Sequence, residues 1–354
     1  MRRWLAIALV AACGGGGGDR PDARPSSDAR PPDADTTDAA TAVLPEDLPS
    51  PLPSGDISGS FVSFNAGLIQ VVKGGAERLP LQVTALKALD ADLICMEEIW
   101  PVYTNGPEMA AALADTYPYS FWTWDGEFSL RNGLLIVSRH PLYRGRVMRY
   151  AMGNDGPTID RMALGVTVVD DAGGWHANVV CTHMHAGLPD ADKAIRLSEA
   201  QELQTWAASE NLTDGPSILL GDFNSGPVPP SWQGICECST EGELDAGPQI
   251  CDDCVAADTA TRAELQNTWT DCWAEDADFF TSSRDQFLQL AVIPGLFPDE
   301  PTQRIDHCMY KDLGGAAFVP GSSGTVLTED PALDVDGETL NYLSDHYGIR
   351  CTFN

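Results

Sequence analysis

The sequence predicts an α/β (α+β) fold, a mixed sandwich of β-sheets with helices on the outside. Between residues 57 and 354, aliphatic strand-like runs alternate with segments of helical periodicity. Two of the strand runs follow each other across the short turn DDAGG, 170–174, as in a β-hairpin. Hairpins mixed with helices argue against a purely parallel β-α-β alternation. Since no low-complexity break divides this stretch, we expect it to form one domain.

The first predicted elements are three strands and two helices. GSFVSFNAG, 59–67, predicts a strand, and the helix LPLQVTALKAL, 79–89, has its apolar residues on one face. DLICMEEIW, 92–100, predicts the second strand, and PEMAAALADTY, 107–117, a helix that opens with proline. NGLLIVS, 132–138, predicts the third strand.

The second half of the domain begins with the predicted hairpin. Its arms are RMALGVTVV, 161–169, and WHANVVCTH, 175–183. A long helix at 190–209 follows, with Ala194, Leu197, Ala200, Leu203 and Ala207 along one stripe. SILLGDFN, 217–224, predicts the next strand, and the late strands are RIDHCMY, 304–310, and HYGIRCTF, 346–353.

The N-terminal segment predicts export and a lipid anchor. MRRWLAIALVAAC has two arginines, an apolar run too short to span a bilayer, and a cysteine after small residues, so a signal peptide is expected over 1–12. Val10–Cys13 is similar to a bacterial lipobox, which implies a lipid on Cys13; an ordinary signal peptide with an incidental cysteine is the alternative. Residues 13–56, rich in Pro, Asp, Ala and Ser, predict a disordered tether. We therefore expect a lipid-anchored protein of the bacterial cell envelope, at the outer membrane or cell surface.

The chain is strongly acidic, with a formal net charge of -31 at pH 7. Nucleic-acid binding usually depends on Lys and Arg side chains that neutralise phosphates, so nucleic acid is not expected as a partner. A zwitterionic or small substrate remains compatible with this charge.

Ten cysteines in an exported chain favour disulfides. If Cys13 carries a lipid, nine remain, and at least one must be free. CEC at 236–238, CDDC at 251–254 and Cys272 fall in a stretch, about 231–274, without strand or helix periodicity. This stretch predicts a disulfide-stapled insertion, with a structural zinc site as the alternative.

Four further cysteines lie in predicted strands: Cys95, Cys181, Cys308 and Cys351. We expect them to be buried thiols, although Cys308 and Cys351 could pair if their strands adjoin.

Polar residues stand at the ends of six predicted strands. They are Asn65, Glu97 and Glu98, His183 and His185, Asp222 and Asn224, Asp306, and Asp345 with His346. Asx residues often cap turns, which is the alternative explanation for Asp222 and Asn224. Carboxylates with amides suit hard cations such as Mg²⁺, Mn²⁺ or Ca²⁺, and histidines beside them suit proton transfer.

The motifs around these residues resemble a known family. FVSFNAG, LICMEEIW, NGLLIVSRHPL, CTHMHAG, LLGDFNSGP, QRIDHCMYK and LSDHYGI occur in the order of the endonuclease/exonuclease/phosphatase superfamily of metal-dependent phosphoesterases. The resemblance spans about residues 60–354, and the motif wording is most similar to the neutral sphingomyelinase branch. It implies a deoxyribonuclease-like, four-layer sandwich of two mixed β-sheets flanked by helices.

The resemblance also implies roles for individual residues. Glu98, Asn65 and Asp345 would bind the metal, with Mg²⁺ expected and Mn²⁺ or Ca²⁺ possible. His346, oriented by Asp306, would act as the base, Asp222 would orient or deprotonate water, and Asn224 and His183 would bind the phosphate. Glu97 stands where many relatives carry Gln and is expected to support the ligands, with a surface acid as the alternative. His185 is expected to be structural or to face the substrate.

The expected function is metal-dependent phosphodiester hydrolysis by in-line attack of water. We expect sphingomyelin to be cleaved to ceramide and phosphocholine by a monomer held at the membrane through Cys13. The alternative is an exported nuclease or small phosphate-ester phosphatase, for which Arg131, Arg139, Arg161 and Arg304 could form a basic rim. A non-catalytic surface lipoprotein that keeps the fold for binding is a third possibility.

Overall fold

The structure of the protein is a computed structural model that describes residues 40–124, 130–131, 133–151, 159–187, 189–232, 258–292 and 302–354. The first sheet contains β1 (Ala40–Thr41), β2 (Gly59–Leu68), β3 (Leu93–Ile99), β4 (Tyr119–Trp124), β6 (Leu135–Ser138), β14 (Gly324–Val326) and β17 (Gly348–Phe353). From edge to edge these strands are ordered β1-β4-β6-β3-β2-β17-β14. Only β2 and β3 among the pairs of this sheet are parallel, so the sheet is mixed.

The second sheet has six strands. They are β7 (Leu142–Arg149), β9 (Met162–Asp170), β10 (Trp175–His183), β11 (Ser217–Asp222), β12 (Thr270–Asp271) and β13 (Asp306–Lys311), in the order β12-β13-β11-β10-β9-β7. Two small pairs complete the strands: β5 (Leu130–Arg131) with β8 (Ile159–Asp160), and β15 (Leu333–Val335) with β16 (Glu338–Leu340).

Five α-helices are present in the described part of the chain. They are α1 (Gly75–Ala88), α2 (Gly106–Leu113), α3 (Asp190–Ser209), α4 (Ala260–Leu265) and α5 (Arg284–Leu290), with 3-10 turns at Pro230–Trp232 and Pro320–Ser322. None of these described helices has both the length and the hydropathy needed to cross a bilayer.

Three buried clusters define four layers. One cluster lies between the sheets and includes Phe61, Cys95 and Val179. A second joins the outer face of the first sheet to α1 and α2, and a third joins the outer face of the second sheet to α3 and α4. Because successive strand residues point to opposite faces, each central strand supplies one cluster with its odd positions and another with its even ones. The expected four-layer α/β sandwich of two mixed sheets is confirmed.

Most predicted elements are present, with boundaries shifted by a few residues, but edge strands were missed. β7 contains Arg144, Arg146 and Arg149, and only its first residue, Leu142, is buried, so the strand has no apolar run that the sequence could reveal. The stretch at 231–274 was expected to lack regular structure. Instead its C-terminal part forms α4 and β12, and β12 extends the second sheet. Residues 233–257, with four cysteines of the predicted insertion, lie outside the described residues.

The folded part begins before residue 57, the start that the sequence predicts. β1 pairs with β4, and the Ala42 amide donates to the Trp122 carbonyl over 3.0 Å. Further along, the Gly315 amide donates to Asp56 Oδ1 over 2.7 Å. Residues 40–56 therefore lie against the domain; the predicted signal peptide, Cys13 and residues 14–39 of the predicted tether lie outside the described residues.

Among the residues that the structure describes, two disulfides connect the sheets. Cys308 and Cys351 pair, as their adjoining strands allowed. The expectation of buried thiols at Cys95 and Cys181 is wrong, because these residues form a disulfide with their Cα atoms 5.5 Å apart. β3 and β10 belong to different sheets, and their facing register could not be deduced from either strand alone. Cys272 is a buried free thiol.

Candidate active site

The predicted site residues converge at one end of the space between the two sheets. In the second sheet His183 pairs with Asp222, and Asp222 pairs with Asp306, so three polar residues form one row across β10, β11 and β13. In the first sheet Asn65 pairs with Glu97. Each of these five positions has the same parity along its strand as a residue of the inter-sheet core, so its side chain points between the sheets.

Asp222 is at the centre of the cluster. Its Oδ2 accepts a hydrogen bond from Asn65 Nδ2 over 3.0 Å, and its Oδ1 accepts one from the backbone N–H of Asn224 over 2.8 Å. His183 Nε2 and His346 Nε2 lie 3.4 and 3.9 Å from Asp222 Oδ2. Burial, with the charge of Asp306, raises the pKa of Asp222 to about 6 although His346 and the two donors oppose it. Asn65 thus holds Asp222 in place, and its predicted role as a metal ligand stays a prediction.

His346 is held by Asp306. Its Nδ1 lies 2.9 Å from Asp306 Oδ2, and the backbone amide of Asp306 donates to Thr281 Oγ1 over 3.1 Å. Burial alone would lower the pKa of His346, but the carboxylates of Asp306 and Asp222 outweigh it and raise the pKa well above its usual range. With Nδ1 directed at Asp306, the Nε2 atom is the one that faces Asp222.

Glu98 and Asp345 form an acidic corner beside this pair. Glu98 has a φ of 56°, a left-handed conformation uncommon outside glycine, where the β2–β3 register shifts. Burial and the charge of Asp345 raise the pKa of Glu98 to about 7. Glycine is required at position 67 because a Cβ there would lie 2.2 Å from Oδ1 of the Asp345 carboxylate.

These residues fit a hard divalent cation. Glu98 and Asp345 offer carboxylate oxygens, the donors that Mg²⁺, Mn²⁺ and Ca²⁺ prefer. Burial and, after it, the charge of Asp345 raise the pKa of Glu98, and a bound cation would offset both effects. Asn65 Oδ1 accepts from the Gly67 amide over 3.0 Å and keeps a second lone pair.

Arg78, which the sequence did not suggest, fastens the acidic corner from α1. Its buried guanidinium donates to the carbonyls of Gly67 and Leu343 over 2.6 and 2.7 Å. One turn later, Gln82 Nε2 donates to the carbonyls of Ala66 and Leu343 over 2.7 and 2.6 Å. The loops that carry Asn65 and Asp345 are therefore joined through one helix face. The spacing of four residues was visible in the sequence, but a buried arginine is rare enough to be read as exposed.

Arg161 contacts His183. The sequence indicates Arg161 only as one of four arginines that could form a basic rim. Its NH1 lies 2.6 Å from His183 Nε2. The predicted hairpin contained the signal for this contact, because β9 and β10 pair His183 with Met162, the neighbour of Arg161. Of the other rim candidates, Arg139 pairs with Asp90 at the surface and Arg304 lies 3.6 Å from buried Asp271. The side chain of Arg131 lies outside the described residues.

Three remaining residues have defined contacts. Asn224 Nδ2 donates to the Met184 carbonyl over 3.0 Å. His185 turns away toward α3, where its Nε2 lies 2.9 Å from Asp192 Oδ1, so the structural alternative holds. Glu97 is buried rather than a surface acid, and its Oε1 accepts from Ser63 Oγ over 2.8 Å. Burial and the charge of Asp306 raise the pKa of Glu97 well above its usual range.

Residues 81–346 match the sequence profile of the Endonuclease/Exonuclease/phosphatase family. The match includes every predicted site residue except Asn65. A comparison with curated protein sequences finds no match.

Solved structures share the fold at low sequence identity. Sphingomyelinase C from Streptomyces griseocarneus superposes with a TM-score of 0.54 at 16% identity, covering 84% of this chain and 100% of that one. A mutant beta toxin from Staphylococcus aureus with bound magnesium ions gives 0.55 at 14% identity, covering 84% and 99%. TDP2 from D. rerio, complexed with a single-stranded DNA product, gives 0.55 at 18% identity, covering 84% and 100%. At these identities the similarity concerns the fold alone.

Proposed function

Because the chain belongs to the endonuclease/exonuclease/phosphatase family and is therefore a phosphoesterase, we propose that it is a divalent-metal-dependent phosphodiesterase of choline phospholipids, with sphingomyelin first. The products would be ceramide and phosphocholine. The observation that carries the chemistry is the convergence of His346, Asp306 and Asp222 beside the acidic corner of Glu98 and Asp345.

Glu98 and Asp345 would hold the metal, Mg²⁺ by preference, with Asn65 adjoining them. When bound, such an ion neutralises charge on the phosphoryl group and on the leaving oxygen.

His346 in its neutral form would accept the proton of the attacking water at Nε2, and the carboxylates that raise its pKa would stabilise the imidazolium that forms. Its Nδ1 is fixed by Asp306 at 2.9 Å, which sets the tautomer and the direction of the ring. Asp222 lies 3.9 Å from Nε2 and would orient the same water. The attack would be in line and would invert phosphorus without a covalent enzyme intermediate.

Asn224 would bind a phosphate oxygen. Its amide group has two N–H donors, and the Met184 carbonyl accepts one of them. A donor of this kind contributes about 3 kcal/mol to transition-state stabilisation in comparable oxyanion sites.

Three observations support a choline phospholipid. The motifs are most similar in wording to those of sphingomyelinases, the chain carries a net charge of -31, and its N-terminal segment resembles that of a lipoprotein. An acidic protein is repelled by a polyanionic nucleic acid but not by a zwitterionic head group. The nuclease or phosphatase alternative keeps the same chemistry, since the fold is shared with the DNA-bound D. rerio structure.

A substrate panel tests the proposal. Purified protein would be incubated with sphingomyelin, phosphatidylcholine, plasmid DNA and inositol phosphates, with Mg²⁺ and again with chelator. We expect Mg²⁺-dependent release of phosphocholine and its loss in His346→Gln. Nicking of DNA or release of inorganic phosphate without phosphocholine would replace the lipid substrate by the alternative. Cleavage of nothing in the panel would favour the non-catalytic lipoprotein.

The lipid anchor on Cys13 and the cell-envelope location are part of the same proposal. Export of wild type and of Cys13→Ser would be followed by fractionation. Wild type should sediment with membranes and the variant should appear in the soluble exported fraction; equal distribution would contradict the anchor.

A further inference from the structure

The contact between Arg161 and His183 fixes the protonation of the histidine. A guanidinium has only donors, so His183 Nε2, 2.6 Å from Arg161 NH1, must accept. His183 is therefore neutral and carries its hydrogen on Nδ1.

The contact between Arg161 and His183 lies close to the acidic residues of the site. His183 Nε2 lies 3.4 Å from Asp222 Oδ2 and 4.0 Å from Glu98 Oε1. The atom that the family resemblance would direct at the phosphate is thus an acceptor in this structure. An acceptor cannot donate to a phosphate oxygen, whereas the guanidinium beside it can.

Electrostatics point to the same side chain. Glu98, Asp222, Asp306 and Asp345 give the site four acidic side chains, so an anionic phosphodiester needs a cationic group there. Arg161 is buried, with 6% of its surface exposed, and its charge acts on both Glu98 and His183. A planar guanidinium can contact two phosphate oxygens at once, and desolvation strengthens that attraction.

We propose that Arg161 is the catalytic residue that binds the non-bridging oxygens of the substrate phosphate, and that His183 is a positioning residue holding its guanidinium. The assignment rests on the proposed function, since it takes a phosphodiester as the substrate. In this assignment His183 accepts a hydrogen bond from Arg161 and does not donate one to the phosphate, which is the role that the resemblance implied.

The test measures binding of inorganic phosphate by full-length protein in the presence of Mg²⁺, using calorimetry. Arg161→Gln removes the positive charge, and Arg161→Lys keeps the charge but lacks the paired N–H donors of a guanidinium. The matched control is Arg146→Gln on β7 of the same sheet, where Arg146 pairs with Glu46. We expect Arg161→Gln to weaken phosphate binding by at least about tenfold, Arg161→Lys to lie between it and wild type, and the control to match wild type.

A second readout separates binding from a structural role. Hydrolysis of bis(p-nitrophenyl) phosphate by Arg161→Ala should recover on addition of guanidinium at low millimolar concentration, because the small cation can enter the space left by the side chain. A purely structural arginine would show lower thermal stability without this recovery.

Unchanged phosphate affinity in Arg161→Gln, or the absence of saturable phosphate binding by wild type, would overturn the assignment. If Arg161→Gln does not fold, unchanged affinity in Arg161→Lys does the same. Phosphate binding does not require cleavage of sphingomyelin. If sphingomyelin is not cleaved, the phosphate-binding measurement still tests the role of Arg161 on its own.

Discussion

His346 Nδ1 lies 2.9 Å from Asp306 Oδ2, and this hydrogen bond joins the two β-sheets at the candidate site. Asp306 begins β13 in the second sheet, whereas His346 stands just before β17 in the first. Asp306→Asn should leave the fold intact but lower kcat by about 10²- to 10⁴-fold, because an amide no longer fixes the tautomer with Nδ1 protonated.

Hydrolysis of bis(p-nitrophenyl) phosphate at saturating substrate measures the effect of Asp306→Asn. The control is Asp312→Asn, an exposed residue just beyond the same strand, which should retain wild-type kcat. A kcat for Asp306→Asn within threefold of wild type would show that the pair does not orient a base.

Metal binding should raise the thermal stability of the native protein. A cation at Glu98 and Asp345 binds the folded chain only, so Mg²⁺ at 100 times its dissociation constant would add about 2.7 kcal/mol. We expect the melting temperature to rise with Mg²⁺ and to return with chelator, and we expect Glu98→Gln to abolish the rise. Glu108→Gln, an exposed position on α2, is the control. A wild-type melting temperature that ignores Mg²⁺ would argue against this site.

The sequence predicted much of the site because strand ends are local features. Aliphatic runs in β3, β10 and β11 end on Glu98, His183 and Asp222, and the period of two places side chains on one face. The motif resemblance then supplied the four-layer arrangement of two mixed sheets, which residue patterns alone could not provide.

What the sequence did not predict depends on contacts between distant segments. The Cys95–Cys181 disulfide requires the register between two sheets, and Arg78 reaches the loop at Leu343, 265 positions away. The predicted hairpin brings Arg161 near His183. Which group accepts the hydrogen bond of Arg161, however, depends on side-chain geometry that the sequence does not reveal. Such contacts follow from three-dimensional packing and leave no periodic pattern in the chain.

The Cys95–Cys181 disulfide should stabilise the domain strongly. It closes a loop with a sequence separation of 86 and joins the strands that carry Glu98 and His183. Cys95→Ala with Cys181→Ala should lower the free energy of unfolding by about 2–5 kcal/mol, measured by denaturant titration of the oxidised protein. The matched control is Cys272→Ala, which removes a buried thiol that forms no disulfide and should cost less. Equal losses of stability in the double variant and in Cys272→Ala would mean that the double variant is destabilised by lost packing and not by loss of the crosslink.

A buried ion cluster around Asp271 of β12 should make stability sensitive to acid. Asp271 Oδ2 lies 2.6 Å from Arg262 Nε and 3.6 Å from Arg304 NH2. Burial would raise the pKa of Asp271, but the neighbouring His307 ring and the two guanidinium groups lower it to about 2. Since the folded pKa is below the ordinary 3.8, the stabilisation is complete above that value and is lost as the pH falls through about 2.

Asp271→Asn should therefore lower the free energy of unfolding by about 3–5 kcal/mol at pH 7, because it leaves two buried arginines without their counter-charge. The gap between variant and wild type should narrow as the pH is lowered toward 2, since protonation then removes the same charge from wild type. Asp115→Asn breaks a surface pair with Lys87. Because the side chain of Asp115 is 70% exposed, this variant should keep a stability close to that of wild type. Denaturant titrations at several pH values measure all three proteins. A gap that stays constant down to pH 2 would show that the effect of Asp271→Asn comes from packing rather than from charge.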